Sequence, residues 1–266
     1  VLFHDAEDAE ASARLEVLER VLEGFQATFA AYGIELDPPA EKQVGAFFRH
    51  RHDYETLLKR VGAGAFLTTL GYYHPTERWV ATADARDHPT RRAEEQWIAN
   101  RSGEIRRLRE LCERMPATGR LRIVLPGEGT VVMDRAQART QLRAFESEHQ
   151  RRVLLHEVDS VAANLGTASH ESIHQLIAVT GLAPRFDAFP HWLHEGLAAQ
   201  FEAFEGDRWA GLAGVNRLRQ KDWEQLESRP RLLDLIRDQG LGRGYQRDPY
   251  ASAWAFVGFL REREPK

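Results

Sequence analysis

Cysteine is nearly absent: Cys112 stands alone in 266 residues. That excludes an intrachain disulfide framework and an all-cysteine zinc site, and it suits either redox compartment. Long apolar runs are missing too. The richest stretch, Ala251 to Leu260, falls short of the ~18 residues needed to cross a membrane and closes on Arg261, Glu262 and Arg263. It reads as a buried helix, and no membrane span is expected. Neither sign of charge dominates, with Lys+Arg at 36, Asp+Glu at 40 and a net charge of −4. There is no basic field to hold a polyanion and no recognition motif, so nucleic acid is not an expected partner. Repeats and low-complexity tracts are also lacking. What remains is an ordinary globular balance, 42% hydrophobic and 29% charged, with length enough for a real core. The chain starts at Val1 rather than Met, and a leader or upstream segment is expected to have been removed, so the missing signal peptide says little about location.

Apolar positions recur at helical spacing from Ala9 to Tyr32, with Gly33 where a helix C-terminus prefers it. Val1-Leu2-Phe3 and Val44 to Phe48 read as strands. Asp53 to Val61 reads as a helix capped by Asp53 and stopped by Gly62. Phe66 to Tyr73 and Arg78 to Ala83, joined by His74-Pro75-Thr76-Glu77, give a hairpin signal. Charged helical patterns follow over Thr90 to Met115 and over Arg135 to Asn164, the latter expected to end near Gly166. Between them Leu121 to Leu125 and Thr130 to Met133 form a second hairpin around Pro126-Gly127-Glu128-Gly129. These segments suggest a helical insertion at residues 90–165, with mixed-sign charge making a solvated face. Gly240-Leu241-Gly242-Arg243-Gly244 lacks the ending a phosphate loop needs and reads as a loop.

The chemistry lies between Thr167 and Glu205. His170-Glu171-Ser172-Ile173-His174 follows the polar start Thr167-Ala168-Ser169, and Gly181 sits at a helix stop. On a helix His170 and His174 project from one side, one turn apart. Two neutral imidazole nitrogens on one rigid element suit Zn²⁺, at ~2.0–2.1 Å per bond. Glu171 is rotated about 100° around the axis from His170. It can contact a water beside the metal without ligating, as a general base next to a Lewis acid.

A third ligand decides between such a site and two ordinary helix histidines. Cys112 is isolated in a charged helix. Thr180 stands where a metzincin has its third histidine, and Ile177 replaces that motif's glycine. The next helix, Pro190-His191-Trp192-Leu193-His194-Glu195-Gly196-Leu197-Ala198-Ala199-Gln200-Phe201-Glu202, places Glu195 in an apolar stripe of Trp192, Leu193, Leu197, Phe201 and Phe204. A carboxylate there is costly to bury unless paired or metal-bound. His191 and His194 are alternative ligands or rim residues. Glu202, and more weakly Asp187, either accepts the second N–H of a ligating histidine or is solvated. Gly196 would permit close helix approach.

His170-Glu-x-x-His174 followed by Trp192-Leu-x-Glu195-Gly-Leu-Ala resembles the gluzincin branch of zinc metallopeptidases. More narrowly, the order of Val44-Gly-Ala-Phe-Phe-Arg-His, Asp53-Tyr54, Gly71-Tyr72-Tyr73, the two motif helices and Tyr250-Ala-Ser-Ala-Trp254 is similar to a bacterial family, domain of unknown function 1570. The resemblance spans roughly Val44 to Leu260. It implies an α+β fold in which a small antiparallel or mixed sheet from the first half packs on a mainly helical half carrying the His-Glu-x-x-His helix, as one zincin-like domain over residues 1–266. It implies His170, His174 and Glu195 as zinc ligands, Glu171 as base, and Tyr250 reaching the site to hold an oxyanion, with Tyr245 as the alternative. The implied activity is hydrolysis of a peptide or protein substrate laid along the strand ending at Tyr73. The other reading is a zinc-binding scaffold of the same fold without turnover. Analogy with envelope-exposed relatives implies a periplasmic, envelope-associated or secreted location, with the cytoplasm as the alternative.

Overall fold

A computed structural model describes residues 1–125, 129–183, 189–205, 208–212, 214–227, 231–237 and 247–263. The chain divides into two compact units, one of residues 1–88 and 160–266 and the other of Pro89–Asp159.

In the first unit, strands β1 (Leu2–His4), β2 (Val44–Phe48), β3 (Gly71–His74) and β4 (Trp79–Ala83) form a mixed sheet of order β1-β2-β4-β3. β1, β2 and β4 run parallel. The parallel steps arise because helix α1 (Asp8–Ala31) connects β1 to β2, and α2 (Arg51–Arg60) with β3 connects β2 to β4. β3 is antiparallel to β4, pairing Gly71 with Thr82 and Tyr73 with Val80. It forms one edge of the sheet. Alternation along β3 buries Gly71 and Tyr73 and leaves Tyr72 and His74 half-buried, so the two sets face opposite sides.

α1 ends as its glycine predicts: Gly33 adopts φ 75° and the Ile34 N–H reaches back to the Phe29 carbonyl at 2.9 Å. α2 begins at Arg51, earlier than the expected Asp53 cap. The Arg51 N–H is met instead by Asp87 Oδ2 at 2.8 Å, a partner far along the chain. The first strand of the hairpin starts at Gly71, not Phe66, because Gly64–Phe66 winds into a 3₁₀ turn.

Helix α4 (Arg135–Val179) supplies its last turns to this unit. It does not end near Gly166 as expected. Glycine costs a helix only about 1 kcal/mol. Here its missing side chain leaves the Glu202 carbonyl oxygen 3.6 Å from where a Cβ would stand. Ser169 Oγ donates to the Phe201 carbonyl at 2.8 Å, so Thr167-Ala168-Ser169 locks the helix down instead of starting it. The helix stops at Gly181, whose φ is 77°.

Val17, Val21 and Phe25 of α1 pack with Ile173, Leu176 and Ile177 of α4 and with Ala198 and Phe201 in the main core. A second core sets Tyr54 and Leu58 of α2 against Ala81 and Ala83 of β4. Polar bonds register α4 against the sheet. Asn164 Oδ1 accepts from the Ala85 N–H at 2.7 Å while its Nδ2 donates to Asp84 Oδ1 at 3.0 Å. Gln175 Nε2 donates to the Arg78 and Val44 carbonyls at 2.5 and 3.2 Å. The rest of the unit is α5 (His191–Gln200), a small pair of strands, Phe204–Glu205 and Arg208–Trp209, and helices α6 (Arg217–Glu224), α7 (Leu232–Ile236) and α8 (Arg247–Arg263).

The second unit contains α3 (Pro89–Arg114), an antiparallel pair Arg120–Leu125 and Gly129–Asp134, and the earlier part of α4. Asp134 and Gln137 exchange side-chain to backbone bonds, both 2.9 Å, a capping box that launches α4. Leu108, Cys112, Met133, Ala138 and Phe145 form its core. Cys112 is buried there, which accounts for its place in a charged helix. Its outer faces carry ion pairs such as Arg109–Glu146 at 2.6 Å. The turn at residues 126–128 and the glycine-rich loop at 240–244 lie outside the described residues. The architecture is α+β, and among the described residues no helix is long and apolar enough to cross a membrane.

Candidate metal centre

His170 and His174 project from the C-terminal part of α4 and are 7% and 5% exposed. Their rings meet nearly edge-on, with centroids 4.8 Å apart and planes at 82°. Glu195 comes from α5 and is 5% exposed. Pro190 holds the N-cap position and starts that helix. Gly196 lets α5 press on α8, because a Cβ there would stand 2.6 Å from the Ala253 carbonyl oxygen and from Val257 Cγ2. Gln200 Nε2 adds a bond to the Trp254 carbonyl at 2.9 Å.

These elements bring three donor atoms together. His170 Nε2 is 3.0 Å from Glu195 Oε2 and 3.1 Å from His174 Nε2, and His174 Nε2 is 3.6 Å from Glu195 Oε2. Ligands placed tetrahedrally around zinc at ~2.0–2.1 Å stand roughly 3.3 Å from one another. The three donor atoms are therefore close enough together to hold a metal ion. Among the described residues this is the one cluster of histidine, cysteine and acidic side chains able to hold a metal.

Charge agrees with spacing. Burial by itself would raise the pKa of Glu195, but His174 and His170 hold it well below the usual carboxylate range. Glu202 behaves alike: burial is outweighed by Arg219 and His170, and its pKa falls to about 2. The same carboxylates overcome the effect of burial on His170 and lift its imidazolium pKa to about 10. Two buried carboxylates thus face the His170 ring from either side, and a divalent cation bound there would compete with its proton.

Glu202 lies just past α5, whose C-cap is Phe201, rather than within the helix expected to run from Pro190 to Glu202. It accepts from His170 Nδ1 at 2.6 Å, so of the two readings left open it takes the one beside the histidine. Arg219 grips it at both oxygens, with Nε 2.8 Å from Oε2 and Nη2 2.7 Å from Oε1. Asn216 Nδ2 also donates to Oε2, at 3.0 Å.

Glu171 points from α4 toward the edge strand. A Cβ on Gly71 would lie 2.5 Å from Glu171 Oε1 and 2.6 Å from Thr167 Cγ2, so β3 passes directly over the carboxylate. Burial raises the pKa of Glu171, the charges of Glu195 and Glu202 push it the same way, and His170 and His174 oppose them. A carboxylate whose pKa is raised is a stronger base. The Tyr73 ring stacks on His174 at 6.2 Å and 30°. Tyr250, on α8, sets its ring 6.2 Å from that of His170 and packs against the small core of Leu235 and Ala253.

His191 stays beside the site with Nδ1 3.7 Å from Glu195 Oε1 and its side chain 28% exposed. His194 is not at a rim. It is 1% exposed, its ring 5.9 Å from that of His174 and 5.5 Å from that of Phe189. Tyr245 and Asp187 lie outside the described residues. Sequence reading singled out Gly71 in a strand motif but missed its contact with Glu171, and it missed Asn216 and Arg219 altogether. The glycine opening an aromatic strand was a usable signal for the first, whereas nothing local marks the other two.

No curated protein and no solved structure matches the chain. The sequence model of the family described as Protein of unknown function (DUF1570) does match, over residues 164–266, a span that holds the three donor residues, Glu171, Glu202, Arg219 and Tyr250 but none of the four-stranded sheet.

Proposed function

We propose that this protein is a zinc-dependent peptidase of gluzincin type. The observation that carries the reading is the buried triangle of His170, His174 and Glu195 donor atoms, 3.0–3.6 Å apart, with Glu171 beside it under an edge strand. Zinc held by those three residues would supply Lewis acidity toward a carbonyl oxygen and toward water. Glu171 takes the proton of the attacking water as the C–O bond forms, and delivers it to the amine nitrogen as the C–N bond breaks. The Tyr250 side chain is the candidate donor to the developing oxyanion. β3 lies at the sheet edge, so an extended peptide adds to it as a further strand and passes over Glu171 and His174.

A second reading, a zinc-binding scaffold without turnover, needs a fourth protein ligand to close the coordination sphere, and His191, with Nδ1 3.7 Å from Glu195 Oε1, is the candidate for it. Zinc content and hydrolysis of a peptide library, measured for the parent and for Glu171→Gln, separate the two. We expect one zinc per chain in both, and turnover about 10²-fold lower or worse in the variant. A parent that binds no stoichiometric zinc at neutral pH overturns the metal centre. Zinc without turnover in either protein moves the assignment to the scaffold.

A further inference from the structure

We infer that Arg219 is a positioning residue of this centre, holding Glu202 in the orientation that aims the His170 ring at Glu195 and His174. The inference rests on the metal reading above. Glu202 lies beyond the regular part of α5, so no helical geometry aims its carboxylate. The aim comes from α6, a separate element. Arg219 and Glu202 side chains are 8% and 7% exposed, and the guanidinium meets both carboxylate oxygens, 2.8 and 2.7 Å away. A two-pronged contact stops the carboxylate from rotating about its terminal bond, as a lysine's single ammonium would not.

The clamp is itself placed by Asn216. Its side-chain oxygen accepts from the Arg219 N–H at 3.1 Å and caps α6, while its Nδ2 donates to the Ala199 carbonyl at 3.1 Å and to Glu202 Oε2 at 3.0 Å. One asparagine therefore ties the start of α6 to the end of α5 and to the clamped carboxylate. With Glu202 fixed, Oε1 sits 2.6 Å from His170 Nδ1 and takes the hydrogen there. The lone pair of the neutral ring then belongs to Nε2, the atom facing Glu195 and His174. Arg219 also lies 5.5 Å from the centre of the Tyr250 ring, which itself stands 6.2 Å from the His170 ring.

The test is zinc affinity by chelator competition, with thermal unfolding of the zinc-free proteins, for the parent, Arg219→Lys, Arg219→Met, Glu202→Gln and the double variant. Loss of such an outer contact costs metal affinity roughly 10–100-fold. We expect Arg219→Met to fall in that range and Arg219→Lys to recover part of the loss. In the Glu202→Gln background, removing Arg219 should add less than about twofold, since the arginine acts through that carboxylate. If Arg219→Met fails to fold because Glu202 is left buried without its partner, the comparison within the Glu202→Gln background still decides. A folded Arg219→Met that binds zinc within about twofold of the parent overturns the inference, as does an undiminished loss in the Glu202→Gln background. Zinc binding without hydrolysis removes the peptidase and leaves the clamp standing, whereas a parent that binds no zinc removes both.

Discussion

Replacing Gly71 with alanine adds one methyl group and attacks the proposed base without touching a ligand. The added Cβ would stand 2.5 Å from Glu171 Oε1, 2.6 Å from Glu171 Cγ and 2.6 Å from Thr167 Cγ2. Ordinary contact begins near 3.5 Å, so the overlap is about 1 Å. The backbone of Gly71 is ordinary strand, outside the positive-φ region, and imposes no penalty of its own. Relief comes from swinging Glu171 away or lifting β3, and either displaces the carboxylate from any substrate on that strand. A misplacement of ~1 Å at a reacting group costs on the order of 10²-fold in rate. Overpacking of this kind also costs stability, about 1–3 kcal/mol. The assay pairs peptide-library turnover with zinc affinity. Turnover should drop ~100-fold while affinity stays near the parent's, since His170, His174 and Glu195 are not among the atoms struck. In a Glu171→Gln background the alanine should have almost no further effect. A Gly71→Ala protein with turnover within about threefold of the parent would refute the placement of the base beneath β3.

At Gly196 an added methyl meets backbone, with the Ala253 carbonyl oxygen at 2.6 Å and its carbon at 2.9 Å, so α5 and α8 must part. Gly196→Ala should lose about 1–3 kcal/mol and weaken zinc binding through its neighbour Glu195; an unchanged melting temperature and zinc affinity would count against the close helix contact. Asp84 gives a pH signature. Burial works against its ionised form, but bonds from Arg86, Asn164 and the Arg86 N–H prevail and depress its pKa. Its stabilising contribution is therefore complete above the unfolded value of ~3.9 and is lost as pH falls through the folded value. The difference in unfolding free energy between the parent and Asp84→Asn, measured in urea, should shrink from pH 7 to about pH 3. An equal difference at both would show that Asp84 is not held ionised by this network.

Local regularities were legible along the chain wherever the cause was local. The i,i+4 histidines, the short apolar strand at Val44 to Phe48, and the stops at Gly33 and Gly181 all follow from residue type, period and backbone freedom within a few residues. Readings failed where the deciding contact is distant. Asp53 is a good cap by type, yet Asp87 meets the first N–H of α2. Gly166 and Ser169 suggest a break by type, yet the backbone at Phe201 and Glu202 keeps α4 unbroken. His194 has the composition of a rim residue, but packing against His174 and Phe189 buries it.

The amino-acid order alone determined the donor types and their spacing on one helical turn: His170 and His174 share a face and Glu171 does not, because 3.6 residues per turn leave no other arrangement. It also marked Glu195 as a carboxylate inside an apolar stripe. Tertiary structure decided the rest. Gly196 and Gly71 matter through what passes over them, and of the two readings open for Glu202 the one beside His170 holds because Arg219 and Asn216, on and at the start of another helix, grip it. Sequence period sets direction around an axis, but the distance between axes is set by close packing, which no single segment contains.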